Sequence, residues 1–430
     1  MSNLKLNDKR TTNGWAMYDW ANSVYSLTIT TAVFPIYYEE VTTTADGNTL
    51  VKFLFWELPN TVLYSYALSF SFLITALMLP LLSGIADCTG KKKLFLKIFA
   101  YLGAMSCAGM FFFEGSNIEF GILMVILASI GYSGGLVFYD AFLPEISTVD
   151  RYDKLSAKGY SLGYVGSVIL LIFNLIMIQK PEVFGLESGS LPARISFLTV
   201  AIWWIGFSQI TFRRLPSNPF NRKASDAWLK KGYQELRSVY REIQGLPNLK
   251  RYVLAYFFFN AGVQAVMYLA SLFGAKELNL ETAALIQIVL IIQLVAIGGA
   301  YLFAELSKRK GNIVSLMVMI GIWVLVCVIA FFIKTELQFY GLAFLVGIIM
   351  GGIQALSRST YSKLIPKETE DHASFFSFYN VTFNLSIVMG TLAYGSIELL
   401  TGSMRYSAIG LSAFFVIGLV LIQKVKVKSA

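Results

Sequence analysis

The sequence predicts an all-α membrane protein with twelve transmembrane helices in two six-helix pseudo-repeat bundles. Three observations carry this. Of 430 residues, 56% are hydrophobic and only 14% charged, against about 25% charged in a soluble domain, so polar surface is too scarce to cover a water-soluble particle. Apolar stretches of roughly 20 residues, the length that crosses bilayer hydrocarbon, recur along the whole chain. Loop motifs also repeat at a near-constant offset between the two halves.

Spans are expected near 15–38, 61–86, 94–113, 118–142, 159–179, 193–212, 250–274, 282–304, 313–333, 338–357, 374–398 and 403–423. With the N-terminus in the cytoplasm, 29 of the 35 Lys and Arg fall on that side. That bias orients both termini inward and implies an even number of spans in a multi-pass protein of the cell membrane. The net charge of +9 is therefore read as a topology signal, and no nucleic acid is expected as partner. Lys5, Lys9 and Arg10 precede a long first span with no small-residue cleavage site, so no cleavable leader is expected. Cys88, Cys107 and Cys327 have neither disulfide nor metal spacing.

The chain divides into residues 1–212, a linker at 213–249 and residues 250–430. Pro216, Pro219, Gly245 and Pro247 bracket the linker. Inside it Tyr233, Leu236, Val239, Tyr240 and Ile243 follow Trp228 and Leu229 at helical spacing, opposite Lys230, Lys231, Arg237 and Arg241. This predicts an amphipathic helix on the cytoplasmic leaflet with Ser225 as its N-cap. On either side of it, Asp87–Lys93 after the second span echoes Lys308–Asn312 after the eighth, and Pro144 echoes Pro366. The offsets of 221 and 222 are the trace of a duplicated unit.

Polar side chains within the bilayer are costly and face a protein interior or aqueous cavity. Here they gather on every third span. The first carries Asp19, Asn22, Ser23, Ser26 and Thr30. The fourth carries Ser129, Tyr132, Ser133 and Asp140, and the seventh Asn260 and Gln264. The tenth carries Gly347, Gly351, Gln354 and Arg358. Spans 3, 6, 9 and 12 are lipid-like. A central cavity shared by two bundles is expected, although such groups also bond helices together.

These features resemble the major facilitator superfamily. The segment Gly84-Ile-Ala-Asp87-Cys-Thr-Gly90-Lys91-Lys92-Lys93 looks like that superfamily's loop between helices 2 and 3, which implies gating roles for Asp87, Gly90 and Lys91. Lys308 stands where an acid is common in the second copy. The closer resemblance is to the vacuole-effluxer-like branch related to autophagy-linked amino-acid exporters. It rests on Tyr18-Asp19-Trp20-Ala21-Asn22-Ser23, Ala141-Phe142-Leu143-Pro144-Glu145-Ile146, Asn260-Ala261-Gly262-Val263-Gln264, the run from Gly351 to Ser359, and Phe375-Phe376-Ser377-Phe378-Tyr379. It implies a secondary transporter that exports a small solute, with amino acids the substrate of fungal relatives. Many relatives have an acid where Ala261 stands, and an acid–lysine pair where Asn380 and Asn384 stand.

The candidate cavity residues are thus Asp19, Asn22, Ser26, Tyr132, Asp140, Asn260, Gln264, Gln354, Arg358 and Asn380. Asp19 reads as a helix-start acid, whereas Asp140 at a helix C-terminus calls for a partner such as Arg358. Gly159, Gly163 and Gly166 allow close packing or a rocking interface between halves. His372, beside Glu370 and Asp371, is expected at the surface. No catalytic residue, cofactor or metal is expected, and a monomer is expected in the lipid bilayer, with protons a candidate coupling ion. Tyr18-Asp19 and Tyr139-Asp140 also allow an intramembrane aspartyl protease, but Gly-x-Gly is missing before the second aspartate. A passive channel or scramblase is a third reading. No phosphate-binding loop for ATP is present.

Overall fold

Each apolar run begins and ends as a helix for a local reason. The computed structural model describes residues 5–44, 46–220, 222 and 228–427. Span 1 starts at Lys9, where the Asp8 carboxylate accepts from the Thr11 amide at 2.8 Å, an N-cap. It runs without interruption over 9–42. Span 2 (Asn60–Thr89) stops at Gly90, whose φ of 67° suits a residue without Cβ. The others are span 3 (Lys92–Met110), span 4 (Ile118–Asp140), span 5 (Tyr152–Gln179), span 6 (Leu191–Arg214), span 7 (Pro247–Leu278), span 8 (Thr282–Lys310), span 9 (Asn312–Phe332), span 10 (Glu336–Leu364), span 11 (His372–Thr401) and span 12 (Met404–Ile422). Among the described residues, eleven helices are individually long and apolar enough to cross a bilayer. Span 1 joins them as a continuous helix with a π-helical stretch, Tyr25–Val33, at its middle. There the Thr30 and Thr31 hydroxyls both donate to the Ser26 carbonyl, at 2.9 and 2.8 Å, feeding the widened turn.

The packing repeats with a shift of six. In the first half span 1 packs on 5 and 6, span 3 on 4 and 6, and span 2 on 4. In the second half span 7 packs on 11 and 12, span 9 on 10 and 12, and span 8 on 10. The halves meet through spans 2 and 11 and through spans 5 and 8, which the same shift interchanges. Met105, Ile202, Leu325 and Val420, on spans 3, 6, 9 and 12, are exposed apolar side chains of the lipid-facing wall. Both ends of the described chain lie on one face, called here the terminal face. Asn7 donates its amide to the Ile146 carbonyl at 2.8 Å, and Val427 shares a surface hollow with Lys308 and Lys363. On the opposite face, β1 (Leu50–Phe53) and β2 (Trp56–Pro59) form a hairpin that has no counterpart in the sequence reading.

Glycine sets the closest approaches. A methyl group on Gly351 would collide with the Ala296 carbonyl, and one on Gly347 would press on Ile292 and Val295. These two members of the span 10 stripe therefore serve packing against span 8. Gly163 abuts Ser23 and Gly166 abuts Trp20, so both glycines close the span 1–span 5 contact within the first half. They do not lie between the halves, where a rocking interface would need them.

The linker helix is Trp228–Gln244, and one face of it docks on the end of span 2. Gly232 packs on Gly84 and Ile85, and Val239 and Ile243 are buried while Tyr233 and Tyr240 stay exposed. Ser225, the expected N-cap, and the side chains of Trp228 and Leu229 lie outside the described residues. Arg222 ties this helix to both halves. It pairs with Asp371 at 2.7 Å, Glu370 at 3.3 Å and Glu235 at 3.8 Å, and donates to the Asp87 carbonyl at 3.2 Å. Partial burial, reinforced by the Asp371 carboxylate, pushes Glu235 from the ordinary 4.5 up to about 7.

Replacing Gly351 by Val should lower the melting temperature, at an overpacking cost of about 1–3 kcal/mol. Gly321→Val, where no atom lies within 4 Å of an added Cβ, should leave it unchanged, and equal melting of the two variants would refute the packing role. Glu235 gives a pH test. Its docked pKa is raised, so the contribution is full below the ordinary value and lost as pH rises through about 7. Amide protection factors across 228–244 should fall from pH 6 to pH 8, and Glu235→Gln should flatten that dependence. A wild-type helix equally protected at both pH values would contradict it.

Candidate functional site

Three of the ionisable residues read from the sequence converge at one point. Arg358 on span 10, 1% exposed, reaches across the seam to Asp19 on span 1 and Asp140 on span 4. All five guanidinium N–H groups are used. Nη1 donates to Asp19 Oδ2 at 3.3 Å and Asp140 Oδ1 at 3.2 Å, and Nη2 to Asp19 Oδ2 at 3.2 Å and the Ser156 carbonyl at 3.0 Å. Nε donates to Ser156 Oγ at 2.9 Å. The guanidinium also lies over the rings of Tyr160 at 4.2 Å and Trp15 at 4.8 Å. Only a planar fork makes these contacts together; a lysine ammonium has neither the reach nor the donors. Tyr139 donates to Asp19 Oδ2 at 2.8 Å and stacks on Trp15. Gly159 leaves the space for this cluster, since a Cβ there would strike Asp19.

Two sequence expectations change here. Asp19 is not a helix-start acid, because Asp8 caps span 1 and Asp19 lies three turns in. The aspartates also do not form the proton-sharing pair of an aspartyl protease, because one guanidinium nitrogen donates to both.

Flanking this cluster, the terminal face closes at two further places. On one side, Asp87 accepts from the Ala373 and Ser374 amides at 3.2 and 2.7 Å, an acid at the positive end of span 11. Lys92, 2% exposed, pairs with Glu145 and lies 3.7 Å from Asp87. His372 Nδ1 sits 3.1 Å from Glu145. His372 is thus buried, contrary to the surface position expected, because span 11 begins at it and presses it onto Glu145, just past the end of span 4. Lys91 is exposed, and its neighbour Lys92 makes the contacts. On the other side, Asp153 in the first turn of span 5 accepts from Lys363, Ser307 and Asn312 at 2.7, 2.7 and 2.9 Å. This second contact therefore has its acid on the helix start instead of on the loop, where Lys308 stands. Among the described residues, the hydrogen bonds joining spans 1–6 to spans 7–12 cluster here or just above, ending at Tyr164–Gln354 (2.6 Å).

Above the cluster a polar cavity opens, its floor formed by Asp19 and Asp140. Ser26, Tyr132 and Gln354 line both it and an adjoining cavity toward the opposite face, with about 930 and 1120 Å³ free of protein atoms. Asn260 and Asn380 line the lower part, and Gln264 the upper. The upper cavity shares Thr30, Thr31 and Tyr268 with a cleft that reaches Glu39 at the far end of span 1. The π-helical stretch of span 1 supplies Tyr25, Ser26, Thr30 and Thr31 to this wall. Two candidates fall outside the lining. Asn22 is buried away from it, and Arg358 sits beneath the aspartates. Tyr160, Tyr164 and Gln293 line it without having been singled out; the first two share a helical face with Gly163, which drew attention as a spacer.

Residues 7–430 match the family described as "Vacuole effluxer Atg22 like". An uncharacterised MFS-type transporter YxiO of Bacillus subtilis is 33% identical over 95% of this chain and 93% of its own length. Autophagy-related protein 22 of Eremothecium gossypii is 24% identical over 94% of this chain and 88% of its own length. The crystal structure of the MFS transporter FucP in the outward conformation shares the fold, with a TM-score of 0.72 at 13% identity over 97% of this chain and 99% of that one. The chain belongs to the vacuole effluxer Atg22-like family and is a membrane transporter of the major facilitator superfamily.

Proposed function

We propose that the chain is a secondary active exporter of a small solute, with amino acids as its substrate class, working by alternating access. The observation that carries this is the Arg358 cluster, which seals the terminal face beneath a cavity continuous with the opposite one. Lysine and arginine placement puts the terminal face in the cytoplasm, so the conformation described here is outward-facing. For the cavity to reach the cytoplasm, Arg358 must leave Asp19 and Asp140. A solute ammonium or a proton arriving at those carboxylates weakens their hold on the guanidinium, which couples occupancy to opening. A permanently open channel has no use for such a seal. The family's description as a vacuole effluxer supports export; amino acids are the class implied by the resemblance to fungal relatives, and the floor carboxylates, suited to an ammonium group, agree with it.

The test is reconstitution in proteoliposomes with imposed pH gradients and a panel of solutes, amino acids first. At least one amino acid should move saturably and accumulate with the gradient, and Asp19→Asn or Asp140→Asn should reduce accumulation by roughly tenfold or more, about 1.4 kcal/mol of lost coupling. Full accumulation in both variants would remove these acids from the coupling step. No saturable movement of any amino acid would remove the substrate class.

The seal has its own readout. Ala157 is fully buried in the seam with Ala300, Ala304 and Ala355. A cysteine placed there, in a Cys88→Ser background, should react slowly with a bulky maleimide. Arg358→Gln leaves two buried carboxylates unpaired, a cost of about 3–5 kcal/mol to the closed state, and should speed labelling at least tenfold. Arg358→Lys should fall between. Labelling unchanged by Arg358→Gln would mean that the cluster does not hold this face shut.

A further inference from the structure

Beside the seam, on the terminal face, lies a hollow that the transport pathway does not use. Its walls come from both halves: Arg151 and Lys154 at the start of span 5, Lys308, Arg309 and Lys310 at the end of span 8, and Lys363 at the end of span 10. These six cations face three acids, Asp150, Asp153 and Glu305. Each acid already has a partner: Arg151 at 3.9 Å, Lys363 at 2.7 Å and Arg309 at 3.0 Å respectively. Lys154, Lys308 and Lys310 have no carboxylate within ion-pair distance among the described residues, and all three are exposed. Lysines that only orient a chain need no shared concavity; these converge on one.

The hollow extends down span 8 to Tyr301; Leu302 beside it is exposed, and Gly298, about one turn further along the helix, has open space where a Cβ would stand. A cationic rim at the end of a membrane-spanning helix, above exposed aromatic and aliphatic side chains of that helix, matches a phosphate headgroup with its acyl chain below. We propose that this hollow binds the headgroup of an anionic phospholipid, with Lys154 from one half and Lys308 and Lys310 from the other contacting its phosphate. A headgroup held between these walls ties the halves together on the terminal face.

The experiment uses the full chain purified in detergent, with added phosphatidylglycerol or phosphatidylcholine, read by thermal unfolding and by lipid retention in native mass spectrometry. Phosphatidylglycerol should raise the melting temperature by several degrees and be retained, the shift shrinking as salt rises, whereas phosphatidylcholine should do neither. The triple variant Lys154→Gln, Lys308→Gln, Lys310→Gln should bind phosphatidylglycerol about a hundredfold more weakly, at roughly fivefold per lysine. Its own melting in plain detergent tests folding. A control with the same charge loss, Lys9→Gln, Lys230→Gln, Lys231→Gln, should keep the shift. Equal shifts from both lipids, or loss of the shift in the control as well, would overturn the proposal by showing a general charge effect. Inorganic phosphate reproducing the full shift would overturn the lipid assignment in favour of a soluble anion. Should the triple variant melt early in plain detergent, Lys308→Gln alone, at roughly fivefold weaker binding, decides the matter.

Discussion

The structure turns on a guanidinium buried where two helix bundles meet. Taking Arg358 out of water costs several kcal/mol unless its charge and all its donors find partners. Here every donor does, on residues of spans 1, 4 and 5 in the first half, which Arg358 on span 10 reaches only across the closed seam. Much else follows from that requirement. Gly159 has no side chain because Asp19 needs the room. Trp15 and Tyr139 stack so that a ring faces the cation. Ser156 accepts from Arg358 with its hydroxyl and carbonyl oxygens, and its hydroxyl donates to the Ala355 carbonyl. A buried ion pair of this kind contributes little net stability against an apolar core, yet breaking it on one side is expensive. That combination suits a catch: firm while complete, and released when one partner is satisfied by something else.

The twofold repeat explains why the catch has two flanks, and its departures explain why they differ. The internal symmetry pairs the span 2–span 11 contact with the span 8–span 5 contact. In the first, Asp87 at the end of span 2 caps span 11. In the second, Lys308 occupies the position that corresponds to Asp87, and the acid appears across the seam as Asp153 on span 5. Both solutions set a carboxylate at the positive end of a helix and both cross between halves. Among the described residues, the linker reinforces the first flank alone, through Arg222 and the Gly232–Gly84 contact. The second flank is open at the surface and lined with lysine.

The parts legible in the sequence are those set by the solvent. Lipid demands long apolar runs, so the spans were readable. A charge within a span demands a partner, so Asp140 pointed to Arg358. What stayed hidden depends on helical phase. Lys91, Lys92 and Lys93 are alike in composition, and Gly90 decides which one turns inward. Asp153 lies outside the span that hydropathy marks, near 159–179, because the helix begins at Tyr152. His372 looked like part of a charged loop until the start of span 11 was known. Ser26 and Thr30 read as a polar stripe, whereas the Thr30 hydroxyl, together with that of Thr31, also donates to the Ser26 carbonyl in the widened turn. Asn22 lies on the same stripe by α-helical spacing and still misses the cavity, since spacing assigns a face and packing decides what that face meets.

The distribution of charge in the cavity bears on what moves it. From Ser26 and Tyr132 up to Gln264 and Ser271 the walls offer hydroxyls, amides and aromatic rings without a formal charge. The floor alone is ionic, and two carboxylates against one guanidinium leave a formal charge of −1. Neutral walls let a polar solute slide with weak, replaceable hydrogen bonds, while the unbalanced floor attracts the one thing that restores neutrality, a cationic group or a proton. The same carboxylates that gain that charge are the ones Arg358 must release. Under the proposed cycle, recognition and opening therefore share atoms. Coupling then needs no signal carried across the bundle, only competition between two positive charges for Asp19 and Asp140.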